Sequence, residues 1–318
     1  MFGTLKRAFS EFSEDDGMVW AAALTYFGVL SLFPALTAMV AIVGLVMDPQ
    51  TLLDNLTAIV SQLGPASAVE TVRGPVENLA ASRSAGLVAL VVGVLGSLWS
   101  ASGYVGALTK ASNVAYEVPE GRPVWKLKPL QMLITLVTLL LVAIVLVALI
   151  VTGPVARGLG EAIGLGSTVV TIYDYAKWPI MALLVLAILG VLYYATPNAR
   201  LPKFSLVTPG AIVALVTWVL ASLAFGFYVS NFGSYNETYG TLGGIVAFLV
   251  WMWITNIAVV FGQEVNAEHH RTRQLDQGKP AQERIQLPLR AEPKESQLPD
   301  TAHGGFAAPR DGRANGDA

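Results

Sequence analysis

The chain has 318 residues, 54% of them hydrophobic and 13% charged, with a net charge of -2 and no cysteine. Soluble domains carry roughly 25% charged residues, so this deficit and a mean hydropathy of +0.57 point to lipid as the solvent. The missing cysteines exclude disulfides, thiolate catalysis and thiolate metal sites, and the near-neutral charge offers no bulk field to nucleic acid.

Six stretches lack Asp, Glu, Lys and Arg. They run between Asp16 and Asp48, Arg83 and Lys110, Lys128 and Arg157, Lys177 and Arg200, Lys203 and Glu237, and Glu237 and Glu264. Each encloses more than about 20 positions, the length of a spanning helix. They are apolar all round, unlike the alternating strands of an outer-membrane barrel. The expected fold is therefore all-α, a polytopic membrane helical bundle with six transmembrane helices.

In chain order, residues 1–17 read as a polar cytoplasmic segment ending in Glu14, Asp15 and Asp16, acids that suit a helix N-terminus. The first span, about 19–47, is too long for a cleaved signal and is read as retained. It contains Pro34, which removes one backbone hydrogen bond and bends a helix. Thr25, Tyr26 and Ser31 lie on the preceding turns, so the bend is either a packing kink or the wall of a cavity. Residues 48–83 read as two short extracytoplasmic amphipathic helices on either side of Pro65, capping the bundle.

The second span, about 86–110, carries Ala85, Ala89, Gly93, Ser97 and Ala101 at a spacing of four, a face for close helix packing. The third, about 130–152, is nearly all Leu, Val and Ile and faces lipid. A glycine-rich connection, 153–174, leads to the fourth span, about 177–195. The fifth, about 206–230, opens on Thr208-Pro209-Gly210, a helix-start signal. After a short outer loop holding Tyr235 and Tyr239, the sixth span runs about 240–263, with Gly240 and Gly244 as a close-approach pair. Residues 18–270 thus form one membrane domain. From Arg271 the composition turns to Pro, Gln, Gly, Ala and charges, and 271–318 reads as a disordered cytoplasmic tail.

Basic residues alternate between connections. Lys6 and Arg7, then Lys110, Arg122, Lys126 and Lys128, then Arg200 and Lys203, then Arg271 and Arg273 fall on one side. The positive-inside rule places that side, and both termini, in the cytoplasm of a multi-pass inner-membrane protein.

The sequence shows no catalytic apparatus. The three histidines, His269, His270 and His303, lie outside the spans, and no paired carboxylates sit at metal-ligand spacing within one. Phosphate-loop and nucleophile-elbow strings are absent. No metal or cofactor is expected. Glu264 is the charge of most interest: at a helix C-terminus it opposes the macrodipole and wants a cation, which Arg122, Lys203 or Arg271 could supply. It is read as an interfacial ion pair or as a gate at the inner mouth of a cavity. Asn113, Asn266, Tyr26 and Tyr239 are hydrogen-bonding groups near helix ends or kinks. Arg122 beside Pro123 either binds anionic lipid headgroups or sets topology.

Several strings in order carry a resemblance. They are Ala22-Ala23-Leu24-Thr25-Tyr26 with Ser31-Leu32-Phe33-Pro34, Trp99-Ser100, Asn113 with Tyr116 and Arg122, and Pro197-Asn198. Pro209-Gly210-Ala211, Tyr239-Gly240-Thr241-Leu242-Gly243 and Gly262-Gln263-Glu264-Val265-Asn266 complete the set. Over about residues 5–270 the chain resembles the YihY/BrkB family of bacterial inner-membrane proteins. The resemblance implies a six-helix membrane fold. Branches of that family are associated with serum resistance, with a legacy ribonuclease BN label, and with export of envelope lipid.

The reading that follows is a non-enzymatic, transporter-like protein whose partners are membrane lipids, anionic headgroups or another envelope component. Its candidate cavity or gate residues are Tyr26, Ser31, Pro34, Asn113, Arg122, Tyr239, Glu264 and Asn266. The alternatives are a membrane scaffold for envelope integrity and, remotely, a tRNA-processing ribonuclease.

Overall fold

The computed structural model describes residues 2–44, 87–150, 167–231 and 241–293, and among them the fold is helical throughout, with eight helices. They are α1 (Phe2–Glu14), α2 (Gly17–Gly44), α3 (Leu87–Ala101), α4 (Gly103–Ala115), α5 (Val124–Ile150), α6 (Ser167–Ala195), α7 (Pro209–Asn231) and α8 (Thr241–Asp276). Helices satisfy every backbone group internally, which hydrocarbon demands. The stretches Val91–Ala115, Val124–Leu146, Tyr175–Ala195, Pro209–Val229 and Gly243–Asp276 have the length and composition to cross a membrane. The chain is a polytopic helical membrane protein. The expected first span falls on α2, 28 residues without a charge, which continues as helix through Pro34.

The lipid-facing character is visible in what stays exposed. Leu183, Leu220, Leu223 and Phe227 have more than half their surface uncovered, which a water-soluble fold would not tolerate in such numbers. The best-packed apolar cluster joins Phe12, Leu24, Val105, Leu108, Ile134, Leu192 and Val260, from α1, α2, α4, α5, α6 and α8. It sits beneath a polar face built from the α1–α2 corner, the 116–123 and 196–208 connections and the end of α8.

Several expectations are corrected. The N-terminal segment is an amphipathic helix, α1, that buries Thr4, Ala8 and Phe12 at a spacing of four. Its corner with α2 is possible because Asp16 adopts φ 55°, a left-handed conformation that Asp tolerates. Gly17 then leaves room for the ring of Phe12, which any Cβ would strike. The expected disordered tail does not begin at Arg271. Helix α8 continues to Asp276, and residues 277–293 pack as a strap with Ala281 and Ile285 fully buried. Gly240 of the expected close-approach pair lies outside the described residues, and among the described residues nothing lies within 4 Å of the Cβ direction of Gly244 or of Gly93 in the small-residue stripe. Close approach occurs instead between Gly210 of α7 and Gly262 of α8, where each glycine's Cβ would meet the other's carbonyl. The amphipathic helices expected over 48–83, Tyr239, and residues 294–318 of the tail lie outside the described residues.

Candidate functional site

The polar face begins where α4 ends. Val118 N donates to Asn113 O (2.9 Å) and Glu117 N to Val114 O (2.8 Å), the paired bonds of a Schellman cap. Such a cap puts one residue in the left-handed region, usually glycine. Here it is Glu117, at φ 53°. Its side chain accounts for the choice: it accepts Arg271 Nη2 at 2.6 Å and Ile285 N at 2.9 Å.

Asn113 bridges outward, its Nδ2 donating to Glu120 Oε2 (2.9 Å) and its Oδ1 accepting Asn198 N (2.7 Å). Arg122 is buried rather than presented to lipid headgroups, which corrects the headgroup expectation for it. Its Nε and Nη2 fork onto Glu120 at 2.8 and 2.7 Å, and Nη2 also donates to Thr196 O at 2.7 Å. Burial pushes the Glu120 carboxyl up, but the Arg122 and Asn113 hydrogen bonds outweigh it and hold the group below its usual value.

A second network joins α1, α8 and the strap. Glu268, 1% exposed, accepts Arg7 Nε at 2.9 Å and also binds Arg271. Arg271 continues to Glu117 and, at 3.6 Å, to Glu11. Glu264 is 2% exposed. Among the described residues no hydrogen bond or ion pair joins it to the cation expected beside it, and the charged groups that act on it most strongly are the carboxyls of Asp15, Glu11, Glu268 and Glu117. At the α1–α2 corner, burial and then the carboxylates of Glu11, Glu117 and Glu14 push Asp15 up to about 7, against the pull of Arg271.

Within the membrane, Asn256 of α8 ties two helices together. Its Nδ2 donates to Thr25 Oγ1 (3.0 Å), and its Oδ1 accepts the Tyr104 hydroxyl (2.8 Å). Below Pro34 a cavity of about 200 Å³ opens between α2, α4, α5 and α6, lined by Ser31, Ala35, Tyr104, Thr135 and Thr138 among others. The Thr138 hydroxyl is buried without a partner among the described residues. Ser31 therefore lines a cavity, whereas Tyr26 is 62% exposed, stacks edge-on against Phe27, and points away from it. Asn266 accepts Gly210 N at 2.9 Å and locks the start of α7 onto α8.

A third feature escaped the sequence reading. A cavity of about 250 Å³ lies between the ends of α6 and α8 and the 201–209 connection, and Lys203, His269, His270 and Arg273 contribute to its lining. Lys203 is far in sequence from the other three, which share α8, so only the helix register of α8 could have hinted at it. Asn198 was also missed as a hub: its side chain binds Pro119 O, Ala291 O and Ala291 N at 2.7, 2.8 and 3.1 Å. Among the described residues, no group of three or more His, Cys, Asp or Glu is placed to hold a metal ion.

The family model described as "Virulence factor BrkB" matches residues 8–286. The chain is similar to the ribonuclease-like protein YfkH of Bacillus subtilis (strain 168), 29% identical over 276 residues, which covers 87% of this chain and 98% of that protein. It is also similar to a UPF0761 membrane protein of Psychrobacter sp. (strain PRwf-1), 26% identical over 83% of this chain and 48% of the other. A UPF0761 membrane protein of Rhodospirillum centenum is 28% identical over 83% of this chain and 57% of its own length. The chain thus spans about half the length of these two UPF0761 relatives. No solved structure matches it.

Proposed function

The chain belongs to the BrkB family of membrane proteins, and from that premise we propose that it is a transporter-like protein of a bacterial inner membrane, both termini cytoplasmic, that moves or handles a lipid or another envelope component. The observation that carries the reading is the cavity beside Pro34. Four helices converge on it, and it holds the Ser31 hydroxyl and the Thr138 hydroxyl, the latter buried without a partner among the described residues. Unpaired polar groups in hydrocarbon cost several kcal/mol, on the order of a lost hydrogen bond each, and they persist where a polar or amphiphilic occupant meets them.

The test is flux in proteoliposomes containing only this protein, with headgroup accessibility read on labelled lipids. Wild-type protein accelerates transfer of at least one lipid class, and Ala35→Phe, which fills the cavity, abolishes the acceleration. Equal rates with and without protein across lipid classes remove the transport reading and leave a scaffold.

A further inference from the structure

The cavity between α6, α8 and the 201–209 connection is a different site from the one beside Pro34. We propose that it binds the phosphate of an anionic lipid headgroup at the membrane boundary. The inference takes from the lipid-handling reading only the nature of the ligand; binding here needs no transport.

Several observations converge. The lining supplies Lys203, Arg273, His269 and His270, and no carboxylate. Elsewhere on the polar face Arg7, Arg122 and Arg271 are each consumed by carboxylates; Lys203 and Arg273 have no ion pair among the described residues. Cations gathered without counter-charge repel one another, and an anion relieves that repulsion. An arginine fork beside lysine and imidazole donors matches the geometry of phosphate oxygens.

The cavity's volume and lip select the source of the phosphate. About 250 Å³ is roughly eight times the ~30 Å³ that a water occupies in the liquid, room for a headgroup but not for acyl chains. The lip is the 201–208 connection, where Phe204, Leu206 and Val207 are all more than 40% exposed. Exposed apolar side chains on a loop flanking a lysine are the pattern of an interfacial anchor, with the apolar parts in the acyl boundary and the charge at headgroup level. The loop is held there by Gly190 of α6, whose Cβ would meet Leu206 O at 2.7 Å and Ser205 O at 3.0 Å. A soluble phosphate compound would have no use for such a lip.

The experiment measures binding to the full chain purified in neutral detergent, by native mass spectrometry and by thermal shift. The probes are dioctanoyl phosphatidic acid, dioctanoyl phosphatidylcholine and inorganic phosphate. Phosphatidic acid binds with saturation, and the double variant Lys203→Gln/Arg273→Gln weakens it roughly tenfold or more, whereas Lys126→Gln, an exposed lysine outside the cavity, does not. Because Lys203 and Arg273 are exposed, the double variant folds, and an unchanged melting temperature without ligand verifies it. Leu206→Ser, which blunts the lip, weakens phosphatidic acid as well. Equal affinity of wild type and double variant overturns the site. Competition by inorganic phosphate at the concentration of the lipid overturns the lipid source. Failure of flux with binding intact sinks only the transport reading, and loss of binding with flux intact sinks only this one.

Discussion

Gly210 and Gly262 face each other so closely that a side chain on either would enter the other's carbonyl oxygen, and one turn further on Asn266 Oδ1 takes the Gly210 amide at 2.9 Å. The first turn of α7 is therefore clamped onto α8 by backbone contact and a side-chain acceptor for an amide that α7 itself leaves unpaired. Gly262→Val is expected to cost about 3 kcal/mol or more by forcing the helices apart. Asn266→Ala is expected to cost about 1–3 kcal/mol for the orphaned amide. Thermal unfolding in nanodiscs separates the two magnitudes.

Glu117 occupies a conformation that glycine prefers, yet Glu117→Gly is expected to destabilise. Relief of the left-handed backbone returns about 1 kcal/mol. Loss of one of the three carboxylate partners of Arg271, itself 6% exposed, and of the acceptor for Ile285 N costs about 2–4 kcal/mol. A net gain in melting temperature would show that the network with Arg271 is dispensable.

Glu264 is buried among acids, so the neutral Glu264→Gln is expected to hold or raise stability by sparing the fold a buried carboxylate. Glu264→Lys offers the missing counter-charge but must bury a longer chain, and it is expected to destabilise. A large loss of stability in Glu264→Gln would mean that its negative charge is required by a partner in the folded protein.

Asp15 gives the fold a pH dependence of definite sign. Its folded value, about 7, lies above the usual 3.8, so between these values the folded state holds a proton that the unfolded state has released. The stabilisation is full below about pH 4 and is lost as pH rises through 7. Asp15→Asn should flatten this slope and leave the protein more stable at pH 8, by something on the order of 1 kcal/mol after solvent screening. Unfolding midpoints at pH 5 and 8 provide the check. Glu120, held low, contributes oppositely: its stabilisation is present above the usual carboxylate value and fades as pH falls through the folded one.

Asn198 fastens the strap through two side-chain bonds to Ala291 and ties it to the 116–123 connection through a third, to Pro119 O. Asn198→Ala is expected to loosen residues 277–293 and to speed tryptic cleavage at Arg284 and Arg290 several-fold, with the spans still protected by lipid. An unchanged digestion pattern would mean that the Ala199–Leu289 bridge and the Arg290 contacts hold the strap unaided.

The spans were legible because hydrocarbon forbids charge over about 20 residues, and no other solvent imposes that rule. The N-terminus of α7 was legible for a local reason: Thr208 caps Ala211 N at 3.1 Å just ahead of Pro209. Composition also marked Ser31 and Asn266 as polar groups at special positions, and both make contacts that matter. Which way a residue faces was not legible. Tyr26 and Thr25 are neighbours, yet one is exposed and the other meets Asn256. The burial of Arg122 was not legible because its partners, Glu120 and Thr196 O, include one 74 residues away. The strap read as disordered because its fold is written in distant backbone acceptors such as Tyr194 O and Ala199 O rather than in its own hydrophobic pattern.

Helix α8 runs without interruption for 36 residues, about 54 Å at 1.5 Å per residue, against a hydrocarbon thickness near 30 Å. It is a mast taller than the sea it stands in. A lean of about 10° about its submerged end would carry Gln274 and the strap roughly 9 Å sideways, by the same rise per residue. Bilayer thickness, which sets such leans, thereby acquires a mechanical readout in the aqueous phase.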